Sequence, residues 1–342
     1  MRAMLLQGAA ARLADFRLAL AEDDYRRYAL GHFSATVAFW MQRIAIGWTV
    51  WTLTGSATWL GLIAFAELFP SIVASFLGGD LADRTSRPRV MMAGQVGVTA
   101  VSATLLWLHL TDGLTAGAVA LAMAALGVVA GAMLPARLSM PQELVRAELL
   151  PSALAVNATG FNLSRMIGPA IAAPLLALLG PGAVFAVCVL ANVAFVAVLA
   201  PIAWRPGPRG PSARVPTREV FEDLARERLT LSVILLQFAQ GALVRPVSDL
   251  FPAFADRAFG AGEAGLAALN AALGIGAILG AVGLAKPRED AAALRFLLWS
   301  SLALCGSLLA FGLAGGLGAA LLMLLLHGAA LTATNIGALA YV

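Results

Sequence analysis

Ten long apolar runs, separated by short polar stretches, make up most of the chain. They are Tyr28–Leu53, Ala57–Leu81, Val90–Leu110, Leu114–Leu134, Ala153–Leu179, Gly182–Ile202, Leu229–Phe251, Leu266–Ala285, Ala291–Leu313 and Leu317–Val342. A helix of about 20 apolar residues crosses the hydrocarbon core of a bilayer, so each run predicts a membrane span. Run length favours helices over strands, and a lone helix satisfies its backbone polar groups within the segment. The one long hydrophilic stretch, Trp204–Arg228, is rich in Pro, Gly and Arg. It predicts a linker at 204–228 between a six-span bundle at 28–203 and a second bundle at 229–342. Residues 1–27 predict a cytoplasmic lead-in that can lie on the membrane as an amphipathic helix. Arg12, Asp15 and Arg17 interrupt any signal-peptide core there.

The basic residues orient the spans. Arg2, Arg12, Arg17, Arg26 and Arg27 precede the first run; Arg84, Arg87 and Arg89 follow the second; Arg137 and Arg146 follow the fourth. Six arginines from Arg205 to Arg228 lie between the sixth and seventh, and Lys286, Arg288 and Arg295 follow the eighth. If the spans alternate, all of these fall on one side and Arg257 alone falls in a loop on the other. Loops rich in Lys and Arg face the cytoplasm. The expectation is a multi-pass protein of the inner (plasma) membrane with a cytoplasmic N-terminus.

Composition agrees: 60% of residues are hydrophobic, 12% are charged, and the mean hydropathy is +0.85. A soluble domain carries about 25% charged residues. The pI of about 9.7 could indicate nucleic acid, but the positive-inside pattern accounts for the basic residues, so no nucleic-acid partner is expected. Cys188 and Cys305 lie inside apolar runs and read as small buried hydrophobes. His32, His109 and His327 are far apart, so no metal site is expected, nor any cofactor.

A shift of 202 residues places Arg26 on Arg228, Arg43 on Arg245, Phe76-Leu77-Gly78 on Ile278-Leu279-Gly280, and Arg84 on Lys286. This predicts an internal repeat of two parallel halves. The first half has six runs and the second four.

The segment Gly78–Arg89, GGDLADRTSRPR, lies between the second and third runs. It resembles the signature loop of the major facilitator superfamily, roughly G-x-L-A-D-R-x-G-R. Gly79, Leu81, Ala82, Asp83, Arg84 and Arg87 match, while Ser86 stands where the family has glycine. The first run, with Trp40-Met41-Gln42, Trp48 and Leu53-Thr54-Gly55-Ser56, is similar to the enterobactin-exporter-like, drug-efflux branch. So is LFPAFADRAFGAGEAGL, at the end of the seventh run, and so is the fifth run, where Gly168-Pro169 matches the exporter motif GPxxGG except that Ala172 and Ala173 replace its last glycines. The resemblance implies an all-α membrane protein of the major facilitator fold. It implies two helical bundles with about ten transmembrane helices present of an expected twelve, hence a C-terminally incomplete chain or, as the alternative, a naturally short one. It also implies that Asp83 and Arg84 are conformational residues, with Asp83 near the end of the eleventh helix of the family. The fourth run lacks the arginine that many proton-coupled members carry.

Charged and polar groups inside spans are costly and are functional candidates, with structural pairing as the alternative. Gln42 and Arg43 lie mid-depth in the first span, either on the substrate path or in interhelical packing. Glu67 is the acid well inside the second span. It reads as a proton-coupling carboxyl, as a neutral hydrogen-bonded group, or as a partner of Arg43. Asn157, Asn162, Ser164 and Arg165 share one half of the fifth helix and predict a stripe facing the bundle interior. Gln237 and Gln240 point inward on similar grounds. Arg245 and Asp249, four apart, predict a pair on one helix face, with Asp249 a second proton-coupling candidate. Asn270 and Asn335 are weaker path candidates. Gly276 and Gly280 form GxxxG and predict a close helix crossing.

The expected function is secondary active export of amphipathic small molecules, of drug or siderophore type, by alternating access with protons as the coupling ion. A lysophospholipid-type translocator of the same fold and a nonfunctional truncated product are the alternatives. The chain has neither an HExxH pair nor a GxSxG turn, which argues against an embedded enzyme. A monomer with a small-molecule substrate, in contact with the lipid bilayer, is expected.

Overall fold

The computed structural model describes residues 17–204, 227–284 and 290–339. Its helices are α1 (Asp23–Thr54), α2 (Ala57–Arg84), α3 (Arg87–Leu110), α4 (Ala116–Leu144), α5 (Leu150–Ala203), α6 (Arg228–Leu243), α7 (Gly262–Leu284), α8 (Asp290–Gly312) and α9 (Leu317–Leu339). No strand occurs among the described residues. Eight stretches among them are long and apolar enough to cross a membrane. One, Ala147–Ala203, bends back at Gly180, whose φ of 76° and ψ of 178° suit glycine and whose successor is Pro181. Its arms, 150–179 and 181–203, are therefore two crossings. The 32-residue α1 is a further crossing, with its apolar run diluted by His32, Gln42 and Arg43. The ten apolar runs thus become ten crossings.

Four boundaries differ from the sequence pattern. α1 begins at Asp23, because Tyr25 and Tyr28 are fully buried and extend the packed part of the helix past the apolar run. α4 continues to Leu144 and carries Arg137 inside the helix. The segment Gly78–Arg89 is mostly helix, since α2 runs to Arg84 and α3 starts at Arg87. Arg84 in the last turn of α2 suits the negative end of the helix dipole. The seventh run is broken: α6 ends at Leu243, and a 3-10 segment, Arg245–Leu250, and a π-helical turn, Phe254–Ala258, follow. Pro246 lacks an N–H and disfavours α geometry in the residue before it, which explains the break. The expected linker, apart from Trp204, Glu227 and the backbone of Arg228, lies outside the described residues, as do residues 1–16, Lys286 and Arg288.

The chain forms two compact units. One takes in residues to Thr54 with Leu62–Gly210, the other Gly55–Gly61 with Pro211–Val342. The core of the first unit packs Tyr25, Tyr28, Met91, Met133, Met140, Phe195 and Leu199. Large apolar side chains such as Leu121, Leu178 and Phe76 point outward, as contact with lipid requires.

Small residues set the closest crossings. An added Cβ at Gly127 or Gly131 of α4 would overlap the α2 backbone at Glu67 or Ser71, and one at Gly78 of α2 would overlap the backbone of Ala132. In the second unit, Gly276 and Gly280 of α7 lie against the α9 backbone at Leu325 and Ala329. Gly328 of α9 lies against Leu273. The crossing expected from Gly276 and Gly280 is formed, and it joins α7 to α9.

Candidate functional site

The first unit holds an ion pair inside its spans. Arg43 Nη1 of α1 lies 2.9 Å from Glu67 Oε2 of α2, with the two side chains 31% and 16% exposed. The Gly127 crossing presses α4 against the backbone of Glu67 itself, so the carboxylate sits where three helices meet. Of the readings open for Glu67, the geometry forms the pairing with Arg43.

Gln42, next in sequence to Arg43, is buried in a different direction. Its Oε1 accepts from Ser102 Oγ of α3 at 2.7 Å, and Asn192 Nδ2 of α5 donates to Ser102 Oγ at 3.4 Å. Gln95 Nε2 of α3 donates to Asn192 Oδ1 at 2.8 Å. All four side chains are buried. They form a polar clasp across α1, α3 and the second arm of α5, so the structure places Gln42 in helix packing. Sequence reasoning did not single out Ser102, Asn192 or Gln95. The available signal was their polarity inside long apolar runs.

The polar stripe expected on the first arm of α5 divides. Tyr25 Oη donates to the Ala153 carbonyl at 2.7 Å and to Asn157 Oδ1 at 3.0 Å. Ser164 Oγ donates to the carbonyls of Phe33, at 3.4 Å, and Gly160, at 2.8 Å. Gly168 lies so close to α1 that a Cβ there would meet Trp40 Cβ at 2.5 Å and the Val37 carbonyl at 3.0 Å. Asn157, Ser164 and Gly168, with Pro169 buried beside them, therefore line the seam with α1. The half-buried Arg165 stands off this seam, its Cζ 5.4 Å from the centre of the Trp40 ring. Asn162 is turned about 140° from Asn157 at 100° per residue. It is exposed and donates to the carbonyl of Ala158 on its own helix at 2.9 Å.

In the signature segment, Arg84 Nε pairs with Asp80 at 2.8 Å on its own helix, and Arg87 Nη1 pairs with Glu143 of α4 at 3.1 Å. Nothing lies within 4 Å of a Cβ built on Gly79, so the crowded glycine is Gly78. The side chain of Asp83 lies outside the described residues. Arg137, expected in a loop, lies within α4 and near Tyr28 and His32 of α1.

In the second unit, Gln240 Nε2 of α6 donates to Ser301 Oγ of α8 at 2.9 Å. Gln237 Oε1 is buried with no hydrogen-bond partner among the described residues. Asn270 Nδ2 donates to its own helix at the Leu266 carbonyl, 2.9 Å away. Asp249 falls in the 3-10 segment, where residues three apart align rather than four. Arg245 and Asp249 thus lie on 3-10 rather than α-helical backbone, and the side chain of Arg245 lies outside the described residues. Asn335 is partly buried. Ser307 Oγ and His327 Nδ1, both buried, join α8 to α9 at 3.0 Å, a contact not anticipated from spacing. Cys188 is buried as expected and donates its thiol to the Ala38 carbonyl at 3.2 Å, whereas Cys305 is exposed on α8. No group of three or more metal-ligating side chains occurs among the described residues.

Comparison with known proteins adds three findings. The model of a family described as transmembrane secretion effector matches residues 19–340. No curated protein matches the sequence. Among solved structures, the chain is similar in fold to a bacterial homolog of the human lysosomal transporter Spinster in an inward-facing and occupied conformation. The TM-score is 0.62 at 16% identity, over 92% of this chain and 72% of that one. It is likewise similar to a D-xylose-proton symporter, with a TM-score of 0.64 at 17% identity over 92% and 85% of the two chains.

Proposed function

The chain belongs to the transmembrane secretion effector family of the major facilitator superfamily, a family of membrane transporters, and we propose that it is a proton-coupled exporter of amphipathic small molecules of drug or siderophore type. The observation that carries the reading is the Arg43–Glu67 pair inside the first unit. A carboxylate inside a span is stabilised by an adjacent guanidinium and loses that partner when it takes up a proton. Protonation of Glu67 therefore unfastens α1 from α2, and deprotonation fastens them again. In alternating access, the fastened state carries substrate outward and the protonated state returns. The likeness to a D-xylose-proton symporter supports proton coupling as something this fold can carry.

On this reading Arg43, Arg165 and Asn162 of the first unit and Gln237, Gln240, Arg245 and Asn270 of the second lie along the path, with Asn157 in the seam that holds α5 against α1. Asp249 is a second proton-coupling candidate, Arg84 and Arg87 set the conformational equilibrium, and Gly168-Pro169 holds α5 against α1. The protein works as a monomer in the inner membrane with its N-terminus in the cytoplasm.

The test is transport of a panel of fluorescent amphiphiles by the purified chain in sealed vesicles, with and without an imposed pH gradient. Gradient-driven flux of at least one compound is expected. Glu67→Gln, which mimics the protonated state, should lose the response to the gradient while still exchanging substrate across the membrane. A wild-type chain that moves no compound in response to the gradient overturns proton-coupled export.

A further inference from the structure

The exporter reading leaves the chemistry of the cargo open, and one cluster in the first unit narrows it. Around the ends of α2, α3 and α4, Arg84 is paired with Asp80, Arg87 with Glu143 and Arg146 with Glu22. Arg137 lies about two turns inside the end of α4 at Leu144. Its guanidinium makes no ion pair or hydrogen bond among the described residues. A guanidinium donates hydrogen bonds and accepts none, so only acceptors can satisfy it.

The neighbours of Arg137 add donors and no carboxylate. It stands near Tyr28 and His32 of α1. Tyr28 is fully buried, and its Oη has no hydrogen-bond partner among the described residues. The His32 ring stacks on Tyr28, with centroids 5.5 Å apart and planes at 10°. Phe195 of α5 closes on both rings, at 6.0 Å from Tyr28 and 5.8 Å from His32. This wall is tight, since a Cβ at Gly31 would meet Phe195 Cδ2 at 2.5 Å. His32 and Arg137 are surrounded by protein yet keep part of their surface open. That combination belongs to a recess and not to the outer face of the unit. Buried polar groups in folded proteins are nearly always hydrogen-bonded. A cation and a buried hydroxyl that share one recess suit a ligand that accepts hydrogen bonds and carries negative charge.

We propose that Arg137, with His32 and Tyr28, forms a site for an oxyanion group, so that the exported molecule is an organic acid. The role in transport rests on the exporter reading; the binding does not. A carboxylate matches the guanidinium fork with two parallel hydrogen bonds. The charge suits export, because an inside-negative potential drives an anion outward. The carboxylate of an aromatic acid and the phosphate of a single-chain lipid share this chemistry.

Binding to the chain in nanodiscs of uncharged lipid tests the proposal, measured by equilibrium dialysis with three probes: naphthoate, the naphthylmethylammonium cation and oleoyl lysophosphatidate. Naphthoate should bind at least about tenfold more tightly than the cation, a ratio within reach of one hydrogen bond to a charged group. Arg137→Gln should reduce that ratio about tenfold. Tyr28→Phe, which keeps the ring in the core and removes only the hydroxyl, should reduce it several-fold. Arg146→Gln, an exposed cation at the same end of the unit, should leave it unchanged. A tighter lysophosphatidate identifies a lipid as the source of the anion, and a tighter naphthoate identifies a small molecule; either upholds the site. Equal or cation-favouring binding by the wild-type chain overturns the proposal. So does an unchanged ratio in Arg137→Gln or, should that variant not fold, in Tyr28→Phe. An equal fall in Arg146→Gln also overturns it, because surface charge would then be the cause. Gradient-driven transport without anion preference would sink the site and leave the exporter standing. Anion binding without gradient-driven transport would do the reverse.

Discussion

Arg43 and Arg245 occupy matching places 202 residues apart, yet their surroundings diverge. Arg43 lies within an unbroken 32-residue helix, whereas Arg245 opens a 3-10 segment. The next residue decides this: Ile44 continues the α1 ladder, while Pro246 cannot donate to it and disfavours continued α geometry at Arg245. Elsewhere the two units use the same fastenings. In each, the helices at the second and fourth crossings meet backbone to backbone through glycines, as α2 with α4 and α7 with α9. In each, a glutamine on the first helix bonds to a serine on the third, Gln42 with Ser102 and Gln240 with Ser301. The frame is repeated, and what is set into it is not. The first unit keeps its ion pair on continuous helices, and the second replaces continuity with a break.

The sharpest way to break this comparison is to exchange the residues after the two arginines. Ile44→Pro should remove a ladder bond and clash with the preceding turn in mid-helix, at a cost of about 3 kcal/mol or more. A loss of folded chain in size-exclusion and thermal-unfolding measurements is expected. Pro246→Ala should let α6 run on through Arg245, slowing amide exchange across residues 243–250 and slowing transport. If Pro246→Ala leaves exchange there unchanged, the proline is not the cause of the break.

The glycine crossings test whether the frame is repeated in energy as well as in shape. Gly127→Leu and Gly276→Leu each push a side chain into a facing backbone, which cannot move aside as a flexible side chain can. Overpacking typically costs about 1–3 kcal/mol, and contact with backbone belongs at the upper end. Both variants should lower the unfolding temperature by similar amounts, and Gly79→Leu, with open space around it, should not. A large loss from Gly79→Leu would mean that the signature glycine is held by something other than space.

Much of this frame is readable from residues. The apolar runs give the ten crossings because lipid demands long apolar helices, and Gly276 and Gly280 give their crossing because small residues at helical spacing have few other uses. The equivalent crossing in the first unit went unread although Gly127 and Gly131 have the same spacing. The signature segment drew attention instead to Gly79, where an added Cβ would meet open space. Helix ends were misjudged where polar residues continue a helix beyond the apolar core, as at Asp23 and Leu144. The candidate site was less legible still. Polarity inside a span shows that a side chain needs a partner but not which face supplies it. Gln42 and Arg43, adjacent in sequence, point about 100° apart and end in separate networks. The pairing of Arg43 with Glu67 stood among the sequence alternatives, while the clasp through Ser102, Asn192 and Gln95 depends on three helices meeting, which spacing along one helix does not encode.

The smallest expected effect concerns the two Gln–Ser bridges, and it sharpens the comparison most finely. Hydrogen bonds between membrane helices average about 0.6 kcal/mol, with a maximum near 1.7. The bridge in the second unit joins Gln240 to a single serine that also donates to the Leu297 carbonyl of its own helix. Ser301→Ala should therefore cost close to the average. Ser102 sits between Gln42 and Asn192, and Asn192 is held in turn by Gln95. Removing its hydroxyl leaves an acceptor on Gln42 and a donor on Asn192 buried without their shared partner, and unmet buried groups carry a desolvation cost beyond the lost bond. Ser102→Ala should therefore destabilise the chain about twice as much as Ser301→Ala in matched thermal unfolding. The double variant Ser102→Ala with Gln42→Leu should recover part of the loss, because an apolar side chain needs no donor. Equal costs for the two serines, with no recovery in the double variant, would show that the four-residue clasp acts as separate bonds and that the units differ less in their buried polarity than their geometry indicates.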